Sequence, residues 1–129
     1  MKFNTLIPLL DVKNVEHSIE FYADALGFTI EDKLIWNGQI DWALLSSGPI
    51  RLMLSNNSES FHETWVATNG SIFFIYPEDI DSLYKALQVK GYEPSALQAS
   101  QGGTREFCLQ DPDGYTLWFS HKNIRELVA

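Results

Sequence analysis

The spacing of apolar residues changes several times along the chain, and each change marks an element. Leu6 to Val12 is a short, largely apolar run, the pattern of a buried strand. Asn14 follows in the position of a helix N-cap, where its side-chain oxygen accepts an orphan first-turn N–H. Val15, Ile19, Tyr22 and Leu26 then recur at helical spacing until Gly27 supplies the stop. Phe28 to Trp36 reads as a second strand. Asn37-Gly38 predicts a type I′ hairpin, because both central positions of that turn need positive φ. Ile40 to Ser46 returns as a third strand, Ser47-Gly48-Pro49 turns the chain, and Ile50, Leu52 and Leu54 alternate with Arg51, Met53 and Ser55 in a fourth.

Asn56 to Gly70 is polar and without period, so it reads as a loop, yet it carries Phe61 and Trp65. Those two side chains either anchor the loop on the body or form a lid over a pocket. Ser71 to Tyr76 is a fifth strand. A second helix presents Ile80, Leu83, Tyr84 and Leu87 on one face and closes at Gly91. Tyr92 to Ala99 is a strand broken by Pro94, and Gly102-Gly103 is a flexible link to a strand over Thr104 to Gln110. Asp111-Pro112-Asp113-Gly114 has the residue order of a type I turn. Tyr115 to Ser120 is the last strand, and Ile124, Leu127 and Val128 predict a short terminal helix that docks on the body or on a second subunit.

The element order is β-α-β-β-β, given twice. Gly27-Phe28 recurs as Gly91-Tyr92, Ser18-Ile19 as Ser82-Leu83, and Met53 as Trp118, each about half a chain later. The expected fold class is therefore α+β: one domain over 1–129, made of modules about 1–66 and 67–122, plus the C-terminal helix. Each module buries one face of its sheet under its helix. Two such sheets side by side would form a curved surface whose concave face is a natural ligand cleft.

Composition narrows what such a cleft could hold. The chain has 129 residues, with 9 basic and 17 acidic, giving a formal charge of −8. That balance argues against a nucleic-acid backbone or an anionic membrane as partner and permits a cationic ligand. No apolar run approaches the roughly 20 residues of a membrane helix. Met1 to Asn4 has one lysine and no long apolar stretch, which predicts no signal peptide and a cytoplasmic location. The single cysteine, Cys108, excludes an internal disulfide framework and a cysteine-based zinc cluster, and it reads as an inert thiol. His17, His62 and His121 share no ligand spacing and read as solvated or capping side chains. No nucleophile–base arrangement and no glycine-rich phosphate loop is evident, so no catalytic residue is assigned.

Leu6-Ile-Pro-Leu-Leu-Asp-Val, Ser18-Ile-Glu-Phe-Tyr and Leu26-Gly-Phe, together with Arg105-Glu-Phe and Asp111-Pro-Asp-Gly-Tyr-Thr-Leu, carry a family likeness. The chain resembles the vicinal oxygen chelate superfamily of glyoxalases, extradiol dioxygenases, and fosfomycin and bleomycin resistance proteins. The resemblance implies paired βαβββ modules, usually in a dimer. Metal-using members place His and Glu ligands on inner-face strands one, four, five and eight. Carried over residue by residue, those positions fall at Ile7 (or Pro8), Met53, Ser71 and Trp118. None suits Zn, Ni, Mn or Fe, so the resemblance implies the fold without the family metal, and no cofactor is expected.

Strand alternation assigns the expected cleft lining to Ile7 and Leu9; Arg51, Met53 and Ser55; Ser71, Phe73 and Ile75; Glu106, Cys108 and Gln110; and Thr116, Trp118 and Ser120. Trp65 would join them from the loop. The facing of Trp36 and Trp42 stays open. Glu106 would pair with a cationic ligand group or, internally, with Arg51. Three functions compete. The first is a metal-independent protein resembling the bleomycin resistance branch, sequestering a cationic or aromatic small molecule in a cleft at a homodimer interface. Pro8 on the first strand resembles that branch, in which the first strand is exchanged between subunits. The second is a metal-dependent glyoxalase-, lyase- or dioxygenase-like enzyme whose metal site is built from residues other than Ile7, Met53, Ser71 and Trp118. The third is a structural or regulatory module without a small-molecule role.

Overall fold

In the computed structural model, residues 1–56, 71–99 and 104–121 are described. They divide into two compact units, Met1–Asn69 and Gly70–Ala129. In the first unit, β1 (Leu9–Asp11) leads to α1 (Val15–Leu26), β2 (Thr29–Trp36), β3 (Gln39–Ser47) and β4 (Ile50–Ser55). The second repeats the order with β5 (Ile72–Ile75), α2 (Ile80–Val89), β6 (Gln98–Ala99), β7 (Arg105–Gln110) and β8 (Thr116–Ser120). The sheets are ordered β1-β4-β3-β2 and β5-β8-β7-β6. In each, the first strand joins the last in parallel and the other pairs are antiparallel. The α+β class and the doubled topology are as the sequence pattern requires.

Local chemistry sets the boundaries. Asn14 caps α1 by accepting the His17 N–H at 3.0 Å, and Gly27 ends it at φ 75°. Asp79 caps α2: its Oδ1 accepts from Ser82 N–H at 3.1 Å and its Oδ2 from the Ser82 hydroxyl at 2.7 Å. Asn37 and Gly38 adopt φ 51° and 76°, the positive pair a type I′ turn demands. In the last turn, Asp111 is buried and its Oδ1 accepts the N–H groups of Asp113 and Tyr115, both at 2.9 Å.

Two strands are shorter than their apolar runs. β1 covers only Leu9–Asp11, although the ladder extends one step further where Met53 N–H reaches the Pro8 carbonyl at 2.9 Å. Of Tyr92–Ala99 only Gln98–Ala99 forms a strand. Proline has no N–H to give a ladder; the next residue, Ser95, donates its N–H to the Cys108 carbonyl at 2.9 Å and accepts the Cys108 N–H on its hydroxyl at 2.9 Å.

α1 packs on β3 and β4, and α2 on β7. The first core centres on Tyr22, Leu45, Leu54 and Val12; the second on Phe107, Phe119, Leu117 and Leu87. Burying each such aliphatic or phenyl side chain contributes about 1.5–3 kcal/mol. No helix among the described residues is long and apolar enough to cross a membrane. The expected features at Phe61, His62, Trp65, Gly102-Gly103 and the terminal helix lie outside the described residues.

Candidate functional site

Cross-strand register decides which side chains share the face of each sheet away from its helix. In the first sheet Leu9 pairs with Met53, Leu44 with Met53, Ser46 with Arg51, and Trp42 with Ser55. Leu9, Arg51, Met53 and Ser55 therefore lie together as expected, and Trp42 and Leu44 join them. Ile7 precedes β1, half-buried and in phase with Leu9. Trp36 lies at the hairpin, 70% exposed.

In the second sheet Glu106 pairs with Ser120, Cys108 with Trp118, and Gln110 with Thr116. These six residues share the side away from the core, although Ser120 is itself buried, while Phe107, Leu109, Leu117 and Phe119 are buried on the other side. The fifth strand reverses the expected facing. Phe73 pairs with Leu117 and Phe74 with Trp118. Phe73 thus turns to the core, where its ring meets Tyr115 with centroids 6.2 Å apart. Ile75 shares that side, and Ser71 is in phase with it just before the strand. Phe74 and Ile72, 55% and 50% exposed, occupy the open side instead. The cause is simple: Ile72-Phe73-Phe74-Ile75 is apolar throughout, so alternation has no phase to read.

The expected Arg51–Glu106 pair is also replaced. Arg51 Nε donates to Glu31 Oε2 at 2.6 Å. Glu31 stands at an irregularity in the β2–β3 register between Ile30 and Asp32, and such a bulge re-aims a side chain. The Arg51 hydrogen bond holds the Glu31 carboxyl below its ordinary value. Glu106 is engaged within its own sheet: its Oε2 accepts the indole N–H of Trp118 and its Oε1 the Thr104 hydroxyl at 3.3 Å. Trp118 in turn stacks on Phe74, with centroids 5.7 Å apart and planes inclined by 30°. Trp118, Phe74 and Glu106 form one connected aromatic unit, with the half-buried Cys108 beside the indole.

A concavity of about 490 Å³ lies where the start of α1 meets the β2–β3 hairpin, lined by Asn14, Glu16, Glu20, Trp36 and Asp41 among others. Glu16 Oε1 accepts the Ile40 N–H there at 3.2 Å, which ties helix to hairpin. Elsewhere, His121 Nδ1 accepts the Arg105 N–H at 2.6 Å, a strand-end cap.

Residues 8–119 match the Glyoxalase/Bleomycin resistance protein/Dioxygenase superfamily. The chain belongs to that superfamily. It is similar to bleomycin resistance proteins of Geobacillus stearothermophilus and Staphylococcus aureus, 28% identical over 127 residues, covering 88% of this chain and 92% of each relative. Its fold is similar to that of a bleomycin resistance determinant encoded on transposon Tn5, with TM-score 0.74 and 18% identity, covering 94% of this chain and 99% of the other. It is also similar to a bleomycin-binding protein from Streptomyces verticillus complexed with copper(II)-bleomycin, with TM-score 0.69 and 24% identity, covering 95% and 99%.

Metal-using members of a superfamily of this kind need donors on the open face. The residues at the corresponding positions do not fit a divalent ion. Ile7 offers no donor, and Met53 offers only a soft thioether. Indole nitrogen donates a proton and accepts nothing, and that of Trp118 is already committed to Glu106. At the fifth strand Ser71, where the resemblance places the position, precedes the strand and offers only a hydroxyl. Leu9 pairs with Met53 as Phe74 pairs with Trp118, so Ile72 stands in its sheet as Ile7 does in the first, another side chain without a donor. Among the described residues, no group of three or more His, Cys, Asp or Glu side chains is arranged to hold a metal ion.

Proposed function

We propose that the protein binds a flat, cationic aromatic small molecule against the Trp118–Phe74 shelf, without a metal, in the manner of the bleomycin resistance branch. The observation that carries this reading is the stacked ring pair on the open side of the second sheet, where a metal-using relative would present a ligand. Stacked rings offer large apolar contact and an electron-rich face that attracts cations. The charge of −8 favours the same class of ligand. Relatives named for bleomycin resistance and bleomycin binding give a concrete first probe. We read the working form as a homodimer. Phe3 and Leu6 stand 88% and 86% exposed, apolar surface that a second copy would cover.

Calorimetric titration with copper-free bleomycin A2, beside a thermal-shift series, tests the reading. A ligand at 100 times its Kd adds about 2.7 kcal/mol of stability. Trp118→Ala is expected to abolish binding while the protein still unfolds cooperatively. Retained affinity in Trp118→Ala would place the ligand elsewhere. Dialysis against Zn, Ni, Mn and Fe followed by elemental analysis tests metal independence, which one tightly held ion per chain would overturn.

A further inference from the structure

We infer that Glu106 is a positioning residue for Trp118: it fixes the plane of the indole against Phe74 and does not itself read the ligand's charge. The inference rests on the reading above only in taking Trp118 as the ligand's contact.

Glu106 lies on β7, diagonally across from Trp118 on β8, since Glu106 pairs with Ser120 and Cys108 with Trp118. That diagonal is within reach of long and aromatic side chains. A carboxylate with two free oxygens would be a natural receptor for a cation. Here each oxygen already accepts from one of the chain's own donors, the Trp118 indole N–H and the Thr104 hydroxyl, so the carboxylate is oriented from within its own sheet. A tryptophan turns about two side-chain torsions. Stacking on Phe74 restrains the tilt of the ring but leaves it able to slide, because the contact has no direction in the plane. A hydrogen bond at Nε1 supplies that direction. Ring face and ring edge are thus held by different neighbours, and the shelf is set before a ligand arrives. Presetting a contact surface reduces the ordering cost of binding. The matching place in the first sheet holds Met53, a flexible side chain with no N–H to anchor.

The test uses the full chain with Glu106→Gln, Glu106→Ala and Trp118→Phe. Glutamine removes the charge but keeps an acceptor for the indole, and its amide can donate to the Thr104 oxygen. Alanine removes both. The first readout needs no ligand: the ¹⁵N–¹H resonance of the Trp118 indole, assigned by its loss in Trp118→Phe. Its exchange with solvent is expected to stay slow in wild type and Glu106→Gln and to quicken at least tenfold in Glu106→Ala. The second is titration with copper-free bleomycin A2, expected within threefold of wild type for Glu106→Gln and at least tenfold weaker for Glu106→Ala. Indole exchange unchanged in Glu106→Ala would overturn the inference. So would a Glu106→Gln protein that keeps slow exchange yet loses affinity as far as the alanine variant, since charge alone would then be acting. If wild type fails to bind the probe, the functional reading falls, while the indole resonance still decides the Glu106–Trp118 link.

Discussion

The two modules share a strand order, a parallel closing pair and a helix over one face, but they spend their charged residues differently. In the first, Arg51 meets Glu31 in a pair whose side chains are 45% and 34% exposed. In the second, Glu106 turns onto an indole and a hydroxyl, and Arg105 reaches back to Asp81 near the start of α2, with Nη1 2.6 Å from Oδ2. The helix-covered faces differ little: Leu45 and Leu54 in one do what Leu117 and Phe119 do in the other. Packing under a helix accepts any apolar side chain of suitable size, so the two covered faces are alike. The open faces bear no such constraint, and there the modules differ, one a soft, methionine-centred surface and the other a braced aromatic one.

The largest expected effect tests the equivalence of the covered faces. Tyr22, fully buried, meets Phe21 and Phe28 with ring centroids at 5.1 and 5.8 Å. Phe107 meets Tyr84 and Phe119 at 5.1 and 5.0 Å. Tyr22→Ala and Phe107→Ala should each cost about 3–5 kcal/mol in urea unfolding, as deletion of a buried ring does. Trp118→Ala should cost less than half of that. Equal losses from Phe107→Ala and Trp118→Ala would mean that the braced face is simply more core.

The caps give a smaller and more discriminating contrast. Asn14→Ala should cost about 1 kcal/mol at any pH, because an amide cap does not titrate. Asp79 is held below its ordinary carboxyl value, first by the Ser82 hydroxyl and then by the Ser82 N–H. A depressed folded pKa contributes stability that is complete above the unfolded value and disappears as pH falls through the folded one. Unfolding curves taken from neutral to strongly acidic pH should therefore show wild type losing more stability than Asp79→Asn. Parallel losses in the two proteins would remove Asp79 from the acid response.

Most of the fold can be read from the chain because its signals are local. Asn37-Gly38 and Asp111-Pro112-Asp113-Gly114 carry their turn geometry in their residue types, and the helix periods are anchored by Asn14, Gly27 and Gly91. The open face is less readable because it depends on register. Phe73 and Phe74 are chemically identical, and only pairing with Trp118 separates them. A signal was available: the offset that takes Met53 to Trp118 takes Leu9, placed on the open face with Met53, to Phe74. Glu31 was beyond such reasoning. It opposes Arg51 through a bulge, and a bulge breaks the count on which alternation relies.

Arg51 supplies the smallest expected effect and the finest test of the contrast. Its Nε–H holds Glu31 at 2.6 Å and lowers that carboxyl, so the pair supports the fold above the ordinary glutamate value and less as acid protonates Glu31. Both partners remain open to water, where solvation competes with the pair and salt screens it. Arg51→Met should therefore shift the urea midpoint by little more than experimental scatter, and the shift should shrink further in molar salt. Affinity for copper-free bleomycin A2 should stay within threefold of wild type, against the tenfold loss expected for Glu106→Ala. The two carboxylates would then differ in kind, one a surface counter-ion and the other a brace for the ring that meets the ligand. A tenfold loss from Arg51→Met with folding intact would place the arginine at the ligand, and the division of work between the modules would no longer hold.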